Sequence, residues 1–67
     1  MNLSIVTTLY ESSRYIFEFH RRISVEAVKL TPDYEILFVN DGSSDDSLAM
    51  ARQICGFDSK VSVIDLS

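Results

Sequence analysis

Two short polar stretches carry the side chains of this sequence that could take part in chemistry. The first is Thr8-Leu9-Tyr10-Glu11, and the second is Asn40-Asp41-Gly42-Ser43-Ser44. The carboxylate of Asp41 can accept hydrogen bonds from the N–H of a nucleobase or from sugar hydroxyls. Tyr10 can stack on a planar ring, and the backbone of Thr8 can hydrogen-bond to the edge of a base. The residue types therefore indicate a site that binds a planar ring and sugar hydroxyl groups, rather than a site that binds an anion.

The stretch around Asp41 predicts a strand, a turn and the start of a helix. Residues 34–40 contain a run of apolar side chains without alternation, which is typical of a strand buried on both faces in a parallel sheet. A helix over about 45–54 follows, with Leu48, Ala51 and Ile54 on one face. Asp45 and Asp46 are expected in its first turn, where the helix dipole favours negative charge, and Gly56 is a plausible end.

The rest of the chain predicts two more strands and one more helix. Residues 3–9 are rich in β-branched types and residues 61–66 alternate, so both are expected to be strands. A helix is predicted over 14–30, started by Ser12 or Ser13 and stopped before Pro32. Its apolar side chains recur at spacings of three and four: Ile16, Phe19, Ile23, Ala27 and Leu30.

The predicted order β-α-β-α-β defines an α/β fold. Parallel strands joined by helices require right-handed crossovers, and two crossovers in one direction place both helices on one face. The expected sheet has three parallel strands in the order 3-2-1, which is half of a doubly wound, Rossmann-like domain. Ligands bind such sheets outside the carboxyl ends of the strands, where the two polar stretches meet. The sequence contains neither a G-x-G-x-x-G fingerprint nor a P-loop.

Three stretches carry a resemblance to a known family: VTTLY at residues 6–10, YEILFVNDGSSD at residues 34–45 and VIDLS at residues 63–67. The first two resemble the N-terminus of the family 2 glycosyltransferases, which have the GT-A fold. The third is similar to the third strand of that family, close to the branch that makes polyprenyl-phosphate-linked sugars. The resemblance covers essentially the whole chain.

The resemblance implies a nucleotide-sugar donor, usually a UDP- or GDP-sugar. In the family, the first loop and this aspartate hold the nucleotide. Carried over to this sequence, Tyr10 would pack on the base, Asp41 would bind the base or ribose, and Thr8 would add backbone contacts. Glu11, next in the same loop, would complete the nucleotide-binding residues. The acceptor implied is a polyprenyl phosphate or a cell-surface glycan.

The sequence departs from the family pattern in two places. Glu11 and Ser12 occupy positions where the family usually has Asn and Glu, and a carboxylate at Glu11 would repel phosphate. The metal-binding Asp-x-Asp and the catalytic base of the family, which follow a fourth strand, have no counterpart in this sequence. Residues 1–67 are therefore expected to be a partial domain without activity alone. The family implies Mg²⁺ or Mn²⁺, but its ligands are not among these residues.

Other interpretations stay open beside the resemblance. A receiver-like or flavodoxin-type binding or signalling module also places acidic residues at the ends of parallel strands. Asp41 before a glycine is also a common turn residue, and Tyr10 could simply cap the core. His20, without a second ligand nearby in sequence, and Cys55, on an apolar helix face, are expected to be structural.

Composition limits the classes of function. The chain has 67 residues, a net charge of −4 and a pI of about 4.6, which argues against a nucleic-acid binder. A single cysteine excludes an internal disulfide, and the expected location is cytoplasmic. No transmembrane segment or signal peptide is predicted, so contact with a membrane would need other parts of a longer protein. Strand two is apolar on both faces, so its second face must be covered by more chain or by another copy.

Overall fold

The fold is an alternating β-α-β-α-β unit. The computed structural model describes residues 2–9, 14–42 and 46–66. Within these residues the elements are β1 (Leu3–Leu9), α1 (Ile16–Leu30), β2 (Tyr34–Asn40), α2 (Ser47–Phe57) and β3 (Val61–Asp65). The strands are all parallel and lie in the order β1-β2-β3, with β2 in the centre. The predicted α/β class, strand order and direction are therefore confirmed.

One face of the sheet forms the core. Side chains alternate along β2, so Ile36 and Phe38 point to the same face, where both are fully buried. The ring of Phe19 from α1 meets Phe38 edge-on, with 6.3 Å between the ring centres. Both helices cover this face, as predicted, and the core is built from Leu9, Ile16, Ile36, Phe38, Ala51, Ile54 and Val61.

The opposite face of the sheet is open in the described structure. Val6 of β1 is 63% exposed and Ile64 of β3 is 43% exposed, while Leu37 and Val39 of β2 are half-buried. The described helices thus leave the second apolar face of β2 uncovered, because the handedness of the crossovers puts α1 and α2 on the same side. That more chain or another copy covers this face stays a prediction.

Three of the four helix ends differ from the predicted ones by two or three residues. Helix α1 begins at Ile16 rather than at residue 14, after Tyr15, which makes no side-chain capping hydrogen bond. Ser12 and Ser13, the predicted start, lie outside the described residues. Helix α1 ends at Leu30, before Pro32, as predicted. Thr31 is its C-cap residue, and the N–H of Thr31 donates to the carbonyl of Ala27.

Helix α2 is shifted toward the C-terminus relative to its prediction. It begins at Ser47, so Asp46 occupies the N-cap position rather than the first turn, and Asp45 lies outside the described residues. The helix continues through Gly56 to Phe57, where the N–H of Asp58 donates to Ile54. The prediction that Gly56 stops the helix is wrong because its backbone stays helical.

Glu18 forms salt bridges with two arginines on the exposed side of α1. The predicted Glu18–Arg22 pair is present, with Arg22 Nε donating to Glu18 Oε1 at 2.8 Å, and Arg21 Nη2 donates to the same oxygen at 3.0 Å. Hydrogen bonds from Arg21 and Arg22 hold the pKa of Glu18 below its ordinary value.

Neither described helix is long and apolar enough to cross a membrane.

Candidate functional site at the carboxyl edge

The carboxyl ends of the three strands meet at one edge of the sheet. Leu9 pairs with Asn40, and Asn40 pairs with Asp65, so the strands end side by side. Thr8 lies one residue before the end of β1, and Asp41 lies one residue beyond the end of β2; both are exposed. The structure therefore brings Thr8 and Asp41 to the same edge. Tyr10 and Glu11, the other two predicted site residues, lie outside the described residues.

The backbone turns away from the sheet directly after Asp41. Gly42 has a φ of +81°, in the left-handed region that L side chains rarely adopt. A Cβ placed on Gly42 would meet no atom within 4 Å, so backbone conformation rather than space selects glycine here. Gly42 therefore permits the change of backbone direction after Asp41, and the Asp41 side chain is exposed to solvent just beyond the end of β2.

A polar contact that sequence reasoning missed joins the ends of β2 and β3. The side-chain Nδ2 of Asn40 donates to Oδ1 of Asp65 at 3.1 Å, and the N–H of Leu66 donates to the carbonyl of Asn40 at 2.8 Å. Asn40 is only 2% exposed. Arg52 Nη2 of α2 lies 3.8 Å from the other oxygen of Asp65. No local sequence pattern predicts this contact, because it depends on the register between β2 and β3, which places Asn40 opposite Asp65.

An apolar cleft of about 140 Å³ adjoins Thr8. It lies between the end of β1 and the beginning of α1, and its lining residues are Thr7, Thr8, Leu9, Tyr15, Ile16, Phe19 and Phe38. Aromatic and aliphatic walls of this kind accept a planar or apolar group. The cleft therefore places an apolar surface beside the exposed polar edge.

The remaining reactive side chains do not add a second site. His20 Nε2 contacts Asp58, which lies between α2 and β3, and the imidazole is 12% exposed, in agreement with a structural role. Cys55 packs half-buried against the core. Within residues 2–9, 14–42 and 46–66, no three His, Cys, Asp or Glu residues are grouped to hold a metal ion. The described residues thus do not fit the divalent cation that the resemblance implies.

Comparison with known proteins agrees with the sequence resemblance. The sequence model described as glycosyl transferase family 2 matches residues 4–67. A Mycobacterium tuberculosis (strain CDC 1551 / Oshkosh) protein named among the glycosyltransferases is 52% identical over 67 residues, which is 100% of this chain and 20% of the relative. The uncharacterized glycosyltransferase YkcC of Bacillus subtilis (strain 168) is 38% identical over 64 residues, 96% of this chain and 20% of that protein.

A third relative has a more specific name. The undecaprenyl-phosphate 4-deoxy-4-formamido-L-arabinose transferase of Enterobacter sp. (strain 638) is 42% identical over 48 residues, 72% of this chain and 15% of the relative. The chain thus spans about a fifth of the length of the curated relatives that it matches.

Proposed function

The chain belongs to glycosyl transferase family 2, and we propose that its carboxyl edge binds the nucleotide of a nucleotide-sugar whose sugar is transferred to an acceptor. The observation that carries the proposal is the position of Thr8 and Asp41. They lie at the carboxyl ends of adjacent parallel strands, where open α/β sheets bind their ligands. An exposed carboxylate after β2 and an apolar cleft beside the end of β1 together suit a base with its ribose.

Each predicted site residue has a role in this proposal. Asp41 accepts hydrogen bonds from the base or from the ribose hydroxyls of UDP or GDP, and Thr8 contributes backbone hydrogen bonds. Tyr10 stacks on the base, as the resemblance implies. Glu11, the next residue in the sequence, is also included in the nucleotide site, although its carboxylate would repel the diphosphate because like charges repel each other.

The acceptor and the metal are further parts of the proposal. A relative named for undecaprenyl phosphate supports a polyprenyl phosphate as acceptor, with a cell-surface glycan as the alternative. Such a reaction would take place at the cytoplasmic face of a membrane. Mg²⁺ or Mn²⁺ is the metal that the resemblance implies, although no three His, Cys, Asp or Glu residues are grouped to hold it within residues 2–9, 14–42 and 46–66.

The open face of the sheet supports self-association of this chain. Val6 and Ile64 are exposed on it and Leu37 and Val39 are half-buried, so the face offers a contiguous apolar surface without a helix over it. Edge strand β1 has neither a proline nor a charged residue along Leu3–Leu9 to discourage pairing. A second copy that covered this face would remove the apolar side chains from water.

Titration with three ligands tests the proposed nucleotide site. The 67-residue chain, labelled with ¹⁵N, is titrated with UDP, GDP and acetyl phosphate in the presence of Mg²⁺. Saturable shifts of the Asp41 and Gly42 amides with UDP or GDP support the proposal. A response to acetyl phosphate alone would favour the receiver-like interpretation, and no response to either nucleotide at millimolar concentration overturns nucleotide binding by this chain.

A further inference from the structure

We propose that Asn40 is a positioning residue of this site, whose buried amide holds Asp41 in its binding orientation by anchoring the end of β2 on Asp65. The inference rests on the proposed nucleotide binding, because it assigns a residue that supports the binding group without touching the ligand. Nothing in the residue type alone suggested it, since asparagine before Asp-Gly is also ordinary turn chemistry.

The side-chain amide and the backbone carbonyl of Asn40 are hydrogen-bonded to the last residue of β3 and to the residue after it. The amide Nδ2 donates to Asp65 Oδ1 at 3.1 Å, and the backbone carbonyl accepts from the N–H of Leu66 at 2.8 Å. Asn40 is 2% exposed, and a buried amide that lost its partner would leave a polar group without a hydrogen bond. The end of β2 is therefore held in one orientation relative to β3.

Asp41 follows this anchor directly in the chain. Its side chain is exposed, and the following residue, Gly42, adopts the left-handed conformation at φ +81°. The peptide that joins Asn40 to Asp41 is thus held through the carbonyl of Asn40. The direction in which the Asp41 carboxylate leaves the sheet follows from the orientation of Asn40.

The chemical type of residue 40 matters as well as its size. An amide donates to the carboxylate of Asp65, whereas an aspartate at position 40 would face that carboxylate with a second negative charge. Two like charges at hydrogen-bonding distance would push the strand ends apart. Asn40→Asp should therefore disturb the orientation of the Asp41 carboxylate more than Asn40→Ala does, although aspartate preserves the shape of the asparagine side chain.

A merely structural role for Asn40 predicts a different pattern. If Asn40 only stabilised the fold, any variant of equal stability loss would bind nucleotide equally well at a temperature where it stays folded. Val61→Ala is the matched control, because Val61 is 5% exposed and lies at the opposite end of β3 from Asp65. It lowers stability through lost packing, far from the carboxyl edge.

The experiment compares Asn40→Ala, Asn40→Asp, Asp65→Asn, the exchanged pair Asn40→Asp/Asp65→Asn, and Val61→Ala. Affinities for UDP and GDP are measured by NMR titration of the folded chain, alongside the thermal midpoint of each variant. We expect Asn40→Ala to lose about tenfold in affinity through lost orientation of Asp41. Asn40→Asp should lose more, and the exchanged pair should bind more tightly than Asn40→Asp alone. Val61→Ala should lower the midpoint and leave the affinity unchanged.

A second readout needs no nucleotide. In the free chain, the Asp41 and Gly42 amide signals should shift in Asp65→Asn, which alters the same hydrogen bond from another strand, and they should not shift in Val61→Ala. Wild-type affinity in Asn40→Ala, or unshifted amides, overturns the positioning role while leaving nucleotide binding intact. A wild-type chain that binds neither UDP nor GDP overturns the proposed function itself, and the positioning role with it.

Discussion

The imidazole Nε2 of His20 lies 2.7 Å from Oδ2 of Asp58, so a side chain of α1 is joined to the residue that follows α2. The two side chains are 12% and 21% exposed, and the ring of Phe57 meets the imidazole edge-on. The other oxygen of Asp58 accepts from the N–H of Lys60 at 3.0 Å. The contact therefore ties the two helices and the start of β3 together.

The stability of the chain should depend on pH through Asp58. Burial alone would raise the pKa of its carboxyl, but the hydrogen bonds from His20 and from the Lys60 N–H, with the electrostatic interactions with both side chains, hold the pKa below its ordinary value. An unfolded aspartate has a pKa of about 3.9, so the contribution to stability is present above that pH and is lost as the pH falls through the lower folded pKa. Asp58→Asn should lower the urea midpoint near neutral pH, and the difference from wild type should close in acid.

Glu26→Gln is the control for this experiment. Glu26 pairs with Lys29 at 3.3 Å on the exposed side of α1, and its substitution removes the same single charge. A pair of this kind contributes little, so its urea midpoint should stay close to wild type near neutral pH. If the difference in urea midpoint between wild type and Asp58→Asn stays constant down to the most acidic condition, ionisation of the Asp58 carboxyl does not cause that difference.

The thiol of Cys55 should react slowly. Partial burial, and then the negative charge of Asp58, raise the pKa of this thiol above its ordinary value, so less thiolate is present near neutral pH. We expect slower alkylation by iodoacetamide than for a free cysteine in a short peptide. Asp58→Asn should speed the reaction of the folded chain, because one of the two causes is removed. Equal rates in wild type and variant would exclude an influence of Asp58.

Ser24 offers a substitution that should stabilise the chain. Its hydroxyl oxygen is enclosed and has no hydrogen-bond partner among the described residues, although Ser24 lies inside α1. Alanine removes an unsatisfied polar group and has a higher helix propensity, so Ser24→Ala should add about 0.5–2 kcal/mol to the free energy of unfolding. Chemical denaturation measures the change, with Ser62→Ala on the exposed side of β3 as the control. A loss of stability in Ser24→Ala would show that the hydroxyl is satisfied in solution.

The parts of the fold that sequence predicted are those set by local patterns. Strands β1 and β2 were predicted at their observed bounds because β-branched and apolar runs end at polar turns, and Pro32 separates α1 from β2. Helix ends were less accurate, because Gly56 is compatible with both a helix interior and a helix end. A local pattern shows only that a helix can end at such a residue, not that it does end there.

Long-range side-chain contacts could not be predicted in this way. His20 and Asp58 are 38 positions apart, and Asn40 and Asp65 are 25 positions apart. The first contact depends on how α1 packs against the end of α2, and the second on the register between β2 and β3. Both follow only from the assembled sheet and helices. The candidate site residue Asp41 was accessible to sequence reasoning because it directly follows a strand.

Association of the chain should depend on the open face of the sheet. Val6→Thr and Ile64→Thr together keep β-branched side chains in the strands but make the exposed surface more polar. We expect the double variant to be more monomeric than wild type in sedimentation velocity over a range of concentrations. Val28→Thr is the matched control, because Val28 is 54% exposed on α1, away from that face. Equal association in the double variant and wild type would place the contact elsewhere.

Asp41→Ala should weaken nucleotide binding by about 1–3 kcal/mol, because the base or ribose loses its charged hydrogen-bond acceptor. Asp41→Asn should fall between wild type and alanine, since it keeps one acceptor oxygen and loses the charge. Calorimetric titration with UDP and GDP measures both variants. Asp46→Ala is the control, because Asp46 is also an exposed carboxylate near this edge and makes no capping hydrogen bond at α2. If Asp46→Ala loses as much affinity as Asp41→Ala, the effect is one of general charge. If Asp41→Ala binds like wild type, Asp41 does not belong to the site.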